Sequence, residues 1–280
     1  MSRRRTKRKG PAKRRRSRRK QVPPLKARWR RLKRRVKRDI KRGVKRRLPV
    51  AVALMVALFA VVFLFNKIHS GRMARVTVVS SQYNGIDVSK HQGKIDWERV
   101  AGDQKIQFVY IKATEGASMV DKNYRKNITQ ARKYGLKVGS YHFFTSYKSP
   151  EEQFRNFQRQ VKKSEQDLLP MVDVEEAGNR VASRSNLQQR LWAFMNLVKE
   201  EYGAYPVLYS QYKFYNDLLA PDFNKCFIFI ARYGSDVPAL RGGGKYNIWQ
   251  YTERGKVDGI KEYVDLDRFE NGTTIDDIEL

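Results

Sequence analysis

The chain has 280 residues, of which 41% are hydrophobic and 31% charged, and a formal net charge of +31 at pH 7. That length allows one large domain or two small ones, and the single cysteine, Cys226, excludes an internal disulfide, a cysteine-built zinc site and an iron–sulfur cluster. The charge is concentrated at one end: residues 1–47 carry 27 Lys or Arg and one acid, Asp39, whereas the remainder holds 32 basic and 27 acidic residues.

Residues 1–20 have almost no apolar content and cannot build a core. Residues 25–47 keep the charge but add Leu25, Trp29, Leu32, Val36, Ile40 and Val44 at steps of three and four. This is the spacing of a basic amphipathic helix lying on anionic lipid head groups; a disordered basic tail is the alternative. The run Leu48–Phe65 is 18 residues long and uncharged, which predicts a transmembrane helix over 48–66. The basic block before it places residues 1–47 in the cytoplasm and the C-terminal part outside. A cleaved signal peptide competes with this reading, but the long basic region and the flanking Asn66-Lys67-Ile68-His69 do not suit one. Clustered Lys and Arg also bind nucleic acid, yet with an apolar span directly behind them no nucleic-acid partner is expected.

Residues 67–82 read as a linker. A folded domain is expected over 83–271, with 272–280 as a C-terminal tail. Strands are expected at Gly85–Ser89, Gln107–Lys112, Lys137–Phe143, Leu168–Glu175, Pro206–Ser210, Lys225–Arg232, Tyr246–Tyr251 and Tyr263–Leu266. Helical spacing between them appears in Tyr124, Ile128 and Ala131, in Phe154, Phe157 and Val161, and in Leu187, Leu191, Phe194, Met195 and Val198. Strand–helix alternation predicts an α/β fold with a mainly parallel sheet. Eight strands suggest a TIM-like β/α barrel, flattened and partly incomplete because the later connections are too short for helices. Cys226, in an apolar run, reads as a buried small residue.

Acids stand at the C-terminal ends of these strands, where β/α barrels build their active sites: Asp87, Glu115, Asp173, Glu175 and Asp265. In Asp173-Val174-Glu175 the two acids share one face of a strand, with Cα atoms ~6.6 Å apart. Crowding and burial raise the pKa of one carboxyl, so it can donate a proton while the other stays charged. Glycoside hydrolysis needs that division of labour. An isolated Asp-x-Glu is more often a solvated strand end or a metal site; the acids on other strand ends favour catalysis. His69, His91 and His142 lie on separate segments and give no transition-metal set. Tyr141, Tyr209, Tyr233 and Tyr251 sit at strand ends, where they could stack on sugar rings. His142, next to Tyr141, points the other way and reads as structural.

The run Gly85-Ile86-Asp87-Val88-Ser89-Lys90-His91-Gln92-Gly93-Lys94-Ile95-Asp96-Trp97 resembles the opening of glycoside hydrolase family 25, a family of lysozymes. Similar matches follow in order: Phe108 to Gly116, Gly139 to Phe143, Pro170 to Glu175, Ile230 to Tyr233, Trp249-Gln250-Tyr251-Thr252, and Val264 to Phe269. The resemblance covers nearly all of 83–270 and none of 1–80. One departure is Phe229, where the family pattern carries Trp. The resemblance implies a flattened barrel that cuts the β-1,4 bond between N-acetylmuramic acid and N-acetylglucosamine in the glycan strands of peptidoglycan. By position, Glu175 matches the general acid, Asp173 its partner carboxylate, and Asp87 and Asp265 acids of the same cleft. Tyr141, Tyr209, Tyr233, Tyr251, Glu115 and Gln250 are the expected substrate-binding residues. No cofactor is implied. A chitinase-like endoglycosidase and a non-catalytic peptidoglycan-binding membrane protein are the competing readings.

Overall fold

The computed structural model describes residues 83–179 and 183–280, together with Lys33 and Lys37. The chain divides into two units, Met1–Arg75 and Val76–Leu280, and the described residues lie almost wholly in the second. Among them no helix is long and apolar enough to cross a membrane. The apolar run 48–66, the linker 67–82 and, apart from Lys33 and Lys37, the basic tail fall outside them.

Unit two is a mixed α/β barrel. Its strands are β1 (Gly85–Val88), β2 (Phe108–Glu115), β3 (Met119–Val120), β4 (Lys137–Phe143), β5 (Met171–Asp173), β6 (Val207–Gln211), β7 (Ile228–Ala231), β8 (Ile248–Gly255) and β9 (Val264–Phe269). The sheet order is β1-β9-β8-β7-β6-β5-β4-β2-β3, and an added β1–β2 pairing closes eight strands into a ring. The ring itself is therefore complete, contrary to the expected partial barrel. What is incomplete is the helical coat: no α-helix covers the connection from β7 to β8 or from β8 to β9.

The same shortness sets strand direction. β1, β2 and β4 to β8 run parallel, but β9 is antiparallel to both β8 and β1. Parallel neighbours need a crossover of about a dozen residues or more, and only 256–263 separate β8 from β9. Reversal brings the N-terminal end of β9, with Asp265, to the mouth where the parallel strands end. The small hairpin strand β3 pairs antiparallel to β2 and was not expected.

The helices that flank the ring are α1 (Trp97–Ala101), α2 (Tyr124–Lys133), α3 (Pro150–Gln160), α4 (Glu176–Asn179) and α5 (Arg184–Tyr202). Serines open the two longest. Ser149 Oγ accepts from the Glu152 N–H at 3.1 Å, with Pro150 next, and Ser183 Oγ accepts from the Asn186 N–H at 3.3 Å. Such a cap contributes about 1 kcal/mol. Gly203 ends α5 at φ +90°, a left-handed conformation that suits glycine.

Period-two alternation divides the core in two. Val109, Ile111, Val138, Val172, Leu208 and Ile230 point outward and pack against the helices; Phe108, Tyr110, Met171, Val207, Phe229 and Ile248 fill the barrel. Glycine makes room for the large rings. A Cβ on Gly85 would come within 2.2 Å of the Phe108 ring, and one on Gly139 within 2.5 Å of the Tyr110 ring. The expected tail, 272–280, is part of this floor: Ile278 is fully buried in the barrel cluster, and its carbonyl accepts from the Leu169 N–H at 2.8 Å. Cys226 precedes β7 and is half-buried, not buried as expected; desolvation pushes its thiol up to about 11.

Candidate active site

The mouth of the barrel holds a cavity of about 340 Å³. Of the expected site residues, Asp87, Tyr141, Asp173, Glu175, Tyr209, Tyr233, Gln250 and Asp265 line it; Glu115 and Tyr251 do not. Ser89, His91, Gln92, Lys112, Phe143, Met171 and Glu253 also line it and were not anticipated.

The pair Asp173 and Glu175 reaches one cavity because strand geometry continues past β5. The Val174 N–H donates to the Tyr209 carbonyl at 3.0 Å, and Ser210 Oγ donates to the Val174 carbonyl at 2.8 Å. Val174 is thereby held against β6 and faces the helices, so the acids on either side face inward. Asp173 is buried and Glu175 partly open. Glu175 Oε2 accepts from Gln211 Nε2 at 3.3 Å. Asp173 Oδ1 is buried and meets no hydrogen-bond donor among the described residues.

Bulges re-aim the side chains nearby. The β2–β4 register shifts between Lys112 and Thr114, and the β8–β9 register between Gln250 and Thr252. One extra residue reverses the alternation beyond it. Lys112 and Glu115 thus share the inner face, and their ion pair closes at 2.9 Å, with the Lys112 ammonium 4.6 Å from the Phe143 ring centroid. Glu115 is drawn to this lysine at the rim and stays off the cavity wall. Likewise Gln250 and Glu253 both face the cavity, while Tyr251 between them points out and packs against Trp249, ring centroids 6.4 Å apart. His142 also points out, as expected. It stacks on Phe194 at 4.8 Å and meets Thr114 Oγ1 at 2.7 Å.

Opposite the pair, Asp87 on β1 and Asp265 on β9 are register partners. Gln250 Nε2 donates to Asp87 Oδ2 at 2.6 Å, and Gln250 Oε1 accepts from the Tyr209 hydroxyl at 2.9 Å and the Tyr233 hydroxyl at 3.0 Å. Beneath lies Asp267, fully buried and register partner of Gln250, a carboxyl that strand-end reasoning passed over. The cavity has a local turn at its edge: Ser89 Oγ accepts from the His91 N–H at 3.2 Å, and Gln92 Oε1 accepts from the Ser89 N–H at 2.9 Å.

Burial holds Asp87, Asp173, Glu175, Asp265 and Asp267 above the ordinary carboxylate range. For Asp173 burial acts first and the Glu175 charge adds to it, while Lys112 opposes; its pKa stands well above normal. Glu175 is raised by burial and opposed first by Lys112. Asp87 is raised well above normal by burial and then by Asp265. Asp265 is pushed up to about 7 by burial, then by Glu253 and Glu175. Asp173 and Glu175 act on each other's protons, so the pair titrates as a unit. Such a cavity can deliver a proton to a bound ligand and stabilise positive charge on it. Among the described residues no group of three or more His, Cys, Asp or Glu is placed to hold a metal ion.

Comparison with known proteins places this architecture. A family described as glycosyl hydrolases family 25 matches residues 86–260. The Escherichia coli K12 protein YegX, itself uncharacterized, is 38% identical over 194 residues, covering 68% of this chain and 70% of its own. A family 25 glycosyl hydrolase structure from Bacillus anthracis is 36% identical with a TM-score of 0.61, covering 67% of this chain and 88% of that one. A bacterial lysozyme structure from Streptomyces coelicolor is 28% identical with a TM-score of 0.62, covering 70% and 94%. With an eight-stranded ring, a mouth lined by carboxyls, and a family match over more than half its length, the chain belongs to glycosyl hydrolases family 25 and is a glycoside hydrolase.

Proposed function

We propose that this hydrolase is a lysozyme that cuts the β-1,4 bond between N-acetylmuramic acid and N-acetylglucosamine in peptidoglycan. The observation that carries the reading is that Asp173 and Glu175 line one open cavity. Glu175, the more exposed of the two, gives its proton to the leaving glycosidic oxygen and is left as a carboxylate, while Asp173, ionised beside the bound sugar, stabilises the positive charge that develops on the donor. Asp87 and Asp265 line the far wall, and Tyr141, Tyr209 and Tyr233 border the sugar. The lysozyme relative from Streptomyces coelicolor supports the substrate class.

The bare Asp173 Oδ1 favours attack by the substrate's own N-acetyl oxygen. An acetamido N–H is the donor that this buried acceptor lacks, and a carboxylate there orients the acetamide and stabilises the positive charge it gains. That route gives retention, whereas attack by an activated water gives inversion. Proton NMR of the first-formed anomer distinguishes them, and an inverted first product rules out the N-acetyl route. The cleavage itself is tested by digesting purified peptidoglycan with residues 83–280 and identifying the new reducing end. Muramic acid there supports the lysozyme; its absence, with chitin cleaved instead, supports a chitinase-like enzyme.

For location, we propose that residues 48–66 anchor the chain in a bilayer, with the cationic 1–47 on the cytoplasmic side against anionic lipid and the barrel outside. The uncharged run next to 27 basic residues supports it. Protease added to spheroplasts should remove the barrel and spare the tail; a protected barrel overturns the topology.

A further inference from the structure

A second cavity, of about 470 Å³, lies beside the mouth of the barrel, between the loop after β1 and the loop that joins β8 to β9. Gln92 lines both cavities and is the wall they share. Its Oε1 accepts from the Ser89 N–H at 2.9 Å, and its Nε2 donates to the Tyr263 carbonyl at 3.1 Å. The two loops are fastened to each other. The Asp96 N–H donates to the Gly259 carbonyl at 2.9 Å, and Arg99 bridges Asp96 at 3.7 Å and Asp258 at 3.4 Å. Gly259 stands at φ +93°, and a Cβ there would come within 2.4 Å of the Asp96 carbonyl oxygen, so this close approach requires glycine. Val257 and Ile260, both buried, supply the apolar part of the lining.

The charges of this cavity are of two kinds. Arg99, Asp96 and Asp258 are spent on the loops: Asp96 Oδ1 also accepts from the Arg99 N–H at 3.4 Å, and Asp258 Oδ1 from the Gly259 N–H at 3.0 Å. Lys94, Lys261 and Glu262 line the cavity too, and among the described residues none of the three makes an ion pair. The uncommitted charge is therefore cationic. The mouth next door is the reverse. Five carboxyls line it, those of Asp87, Asp173, Glu175, Glu253 and Asp265, and its lysine, Lys112, is already paired with Glu115. Such a mouth suits a neutral sugar and offers little to an anion; a carboxylate finds its partners one wall away. We propose, on the strength of the lysozyme reading, that the second cavity holds the peptide that branches from muramic acid in peptidoglycan. The lactyl group of that sugar carries a short peptide with free carboxylates. Lys94 and Lys261 take those carboxylates while the sugars occupy the mouth, and Val257 and Ile260 meet the peptide's small apolar side chains. The volume falls in the range of cavities that hold small ligands.

Two soluble ligands with the same sugars separate the outcomes: the disaccharide of N-acetylglucosamine and N-acetylmuramic acid bearing a tetrapeptide, and the same disaccharide with its lactyl carboxyl closed as a methyl amide. By calorimetry on the full chain, the peptide-bearing ligand should bind more tightly. Lys94→Gln combined with Lys261→Gln should weaken it about five- to tenfold, as expected for two exposed ion pairs, and leave the methyl amide unchanged. Lys94→Arg with Lys261→Arg keeps the charge and should keep the advantage. High salt should shrink the advantage in wild type, and the amide resonances of Gly93 and Gly259 should shift with the peptide-bearing ligand alone. These last two readouts need no variant, so they decide the matter even should the glutamine pair fail to fold. On intact peptidoglycan the glutamine pair should raise KM at unchanged kcat; on glycan stripped of its peptides by an amidase it should change neither. Equal binding of the two ligands by wild type, or an equal loss for both in the glutamine pair, overturns the proposal. Intact peptidoglycan left uncut, with the peptide advantage present, would overturn the lysozyme reading and leave the peptide site standing. Peptidoglycan cut with no such advantage would do the reverse.

Discussion

Asp87 and Asp265 are Cα partners on neighbouring antiparallel strands, so two acids meet side by side where the barrel opens. Among the described residues neither makes an ion pair; Asp87 leans on the Gln250 amide. Burial first, then the charge of Asp265 on Asp87 and those of Glu253 and Glu175 on Asp265, hold both in their protonated form to higher pH than an exposed aspartate, with Asp265 at about 7. The folded state thus binds more protons than the unfolded chain between the ordinary aspartate pKa near 4 and about 7. The stability this group supports is fully present below the unfolded pKa and is lost as pH rises through the folded one. Asp265→Asn removes the loss. The variant should melt several degrees above wild type at pH 8, and the gap should close near pH 4, as read by thermal denaturation across pH. A gap independent of pH would contradict the assignment.

The pair at the end of β5, Asp173 and Glu175, predicts a different outcome. Glu175→Gln keeps the shape and the Gln211 contact but has no proton to give. Turnover on peptidoglycan should drop by about 10²–10⁴-fold, the usual worth of general acid catalysis, while glycan binding measured by calorimetry stays within a few fold. Asp173→Asn should lose a comparable amount of turnover. Unchanged turnover in Glu175→Gln would remove the residue from the chemistry.

Lys112 is the cation that opposes burial at both Asp173 and Glu175. Lys112→Met withdraws that opposition, so both members of the pair should hold their protons to higher pH. The pH–rate profile should move toward alkaline pH on both limbs, and Glu115 loses its ion pair at the rim. The check is kcat/KM against pH for the variant and wild type. A shift toward acid would mean that another group governs the profile.

Much of this site could be read along the chain, for a physical reason. Strands bury alternate residues, and a barrel gathers strand ends, so Asp87, Asp173, Glu175 and Asp265 converge although 178 positions separate the first from the last. The same rule carried its own warning about Tyr251: next to Gln250 on one strand, it could not share that residue's face, as His142 does not share Tyr141's. Bulges were not legible. A shift after Lys112 and another after Gln250 carry Glu115 and Glu253 to the inner face, and nothing in the local residue types marks them. Lys112 was expected only as the last residue of a strand, and the closed ring turns it into the cavity. The antiparallel β9 was recoverable from the eight residues of 256–263, which are too few for a crossover. Asp267 was hidden by the habit of seeking acids at strand ends, since it lies one layer down.

His142 supplies the last prediction, because it tests where the chemistry stops. The ring is fully buried outside the barrel, stacked on Phe194 and held between Thr114 and Gln153. Burial lowers its pKa to about 3, so it stays neutral in the fold. Gln153 in turn fastens the loop after β4, accepting from the Thr145 N–H at 2.9 Å and donating to the Thr145 and Lys148 carbonyls at 2.9 and 3.0 Å. The unfolded chain takes up a proton at His142 near pH 6.5, whereas the folded chain does not until near pH 3. This residue therefore supports stability above about 6.5 and withdraws it as pH falls toward 3. His142→Phe keeps the stacking but strands Thr114 and Gln153, at about 1–3 kcal/mol for each buried group left without its partner. The variant should melt lower than wild type at pH 8, with the deficit shrinking as pH drops below 6. Its kcat and KM on peptidoglycan, measured well below its melting temperature, should match those of wild type. A loss of kcat without a loss of stability would instead place His142 in communication with the Asp173–Glu175 pair through β4, whose Phe143 is the register partner of Asp173.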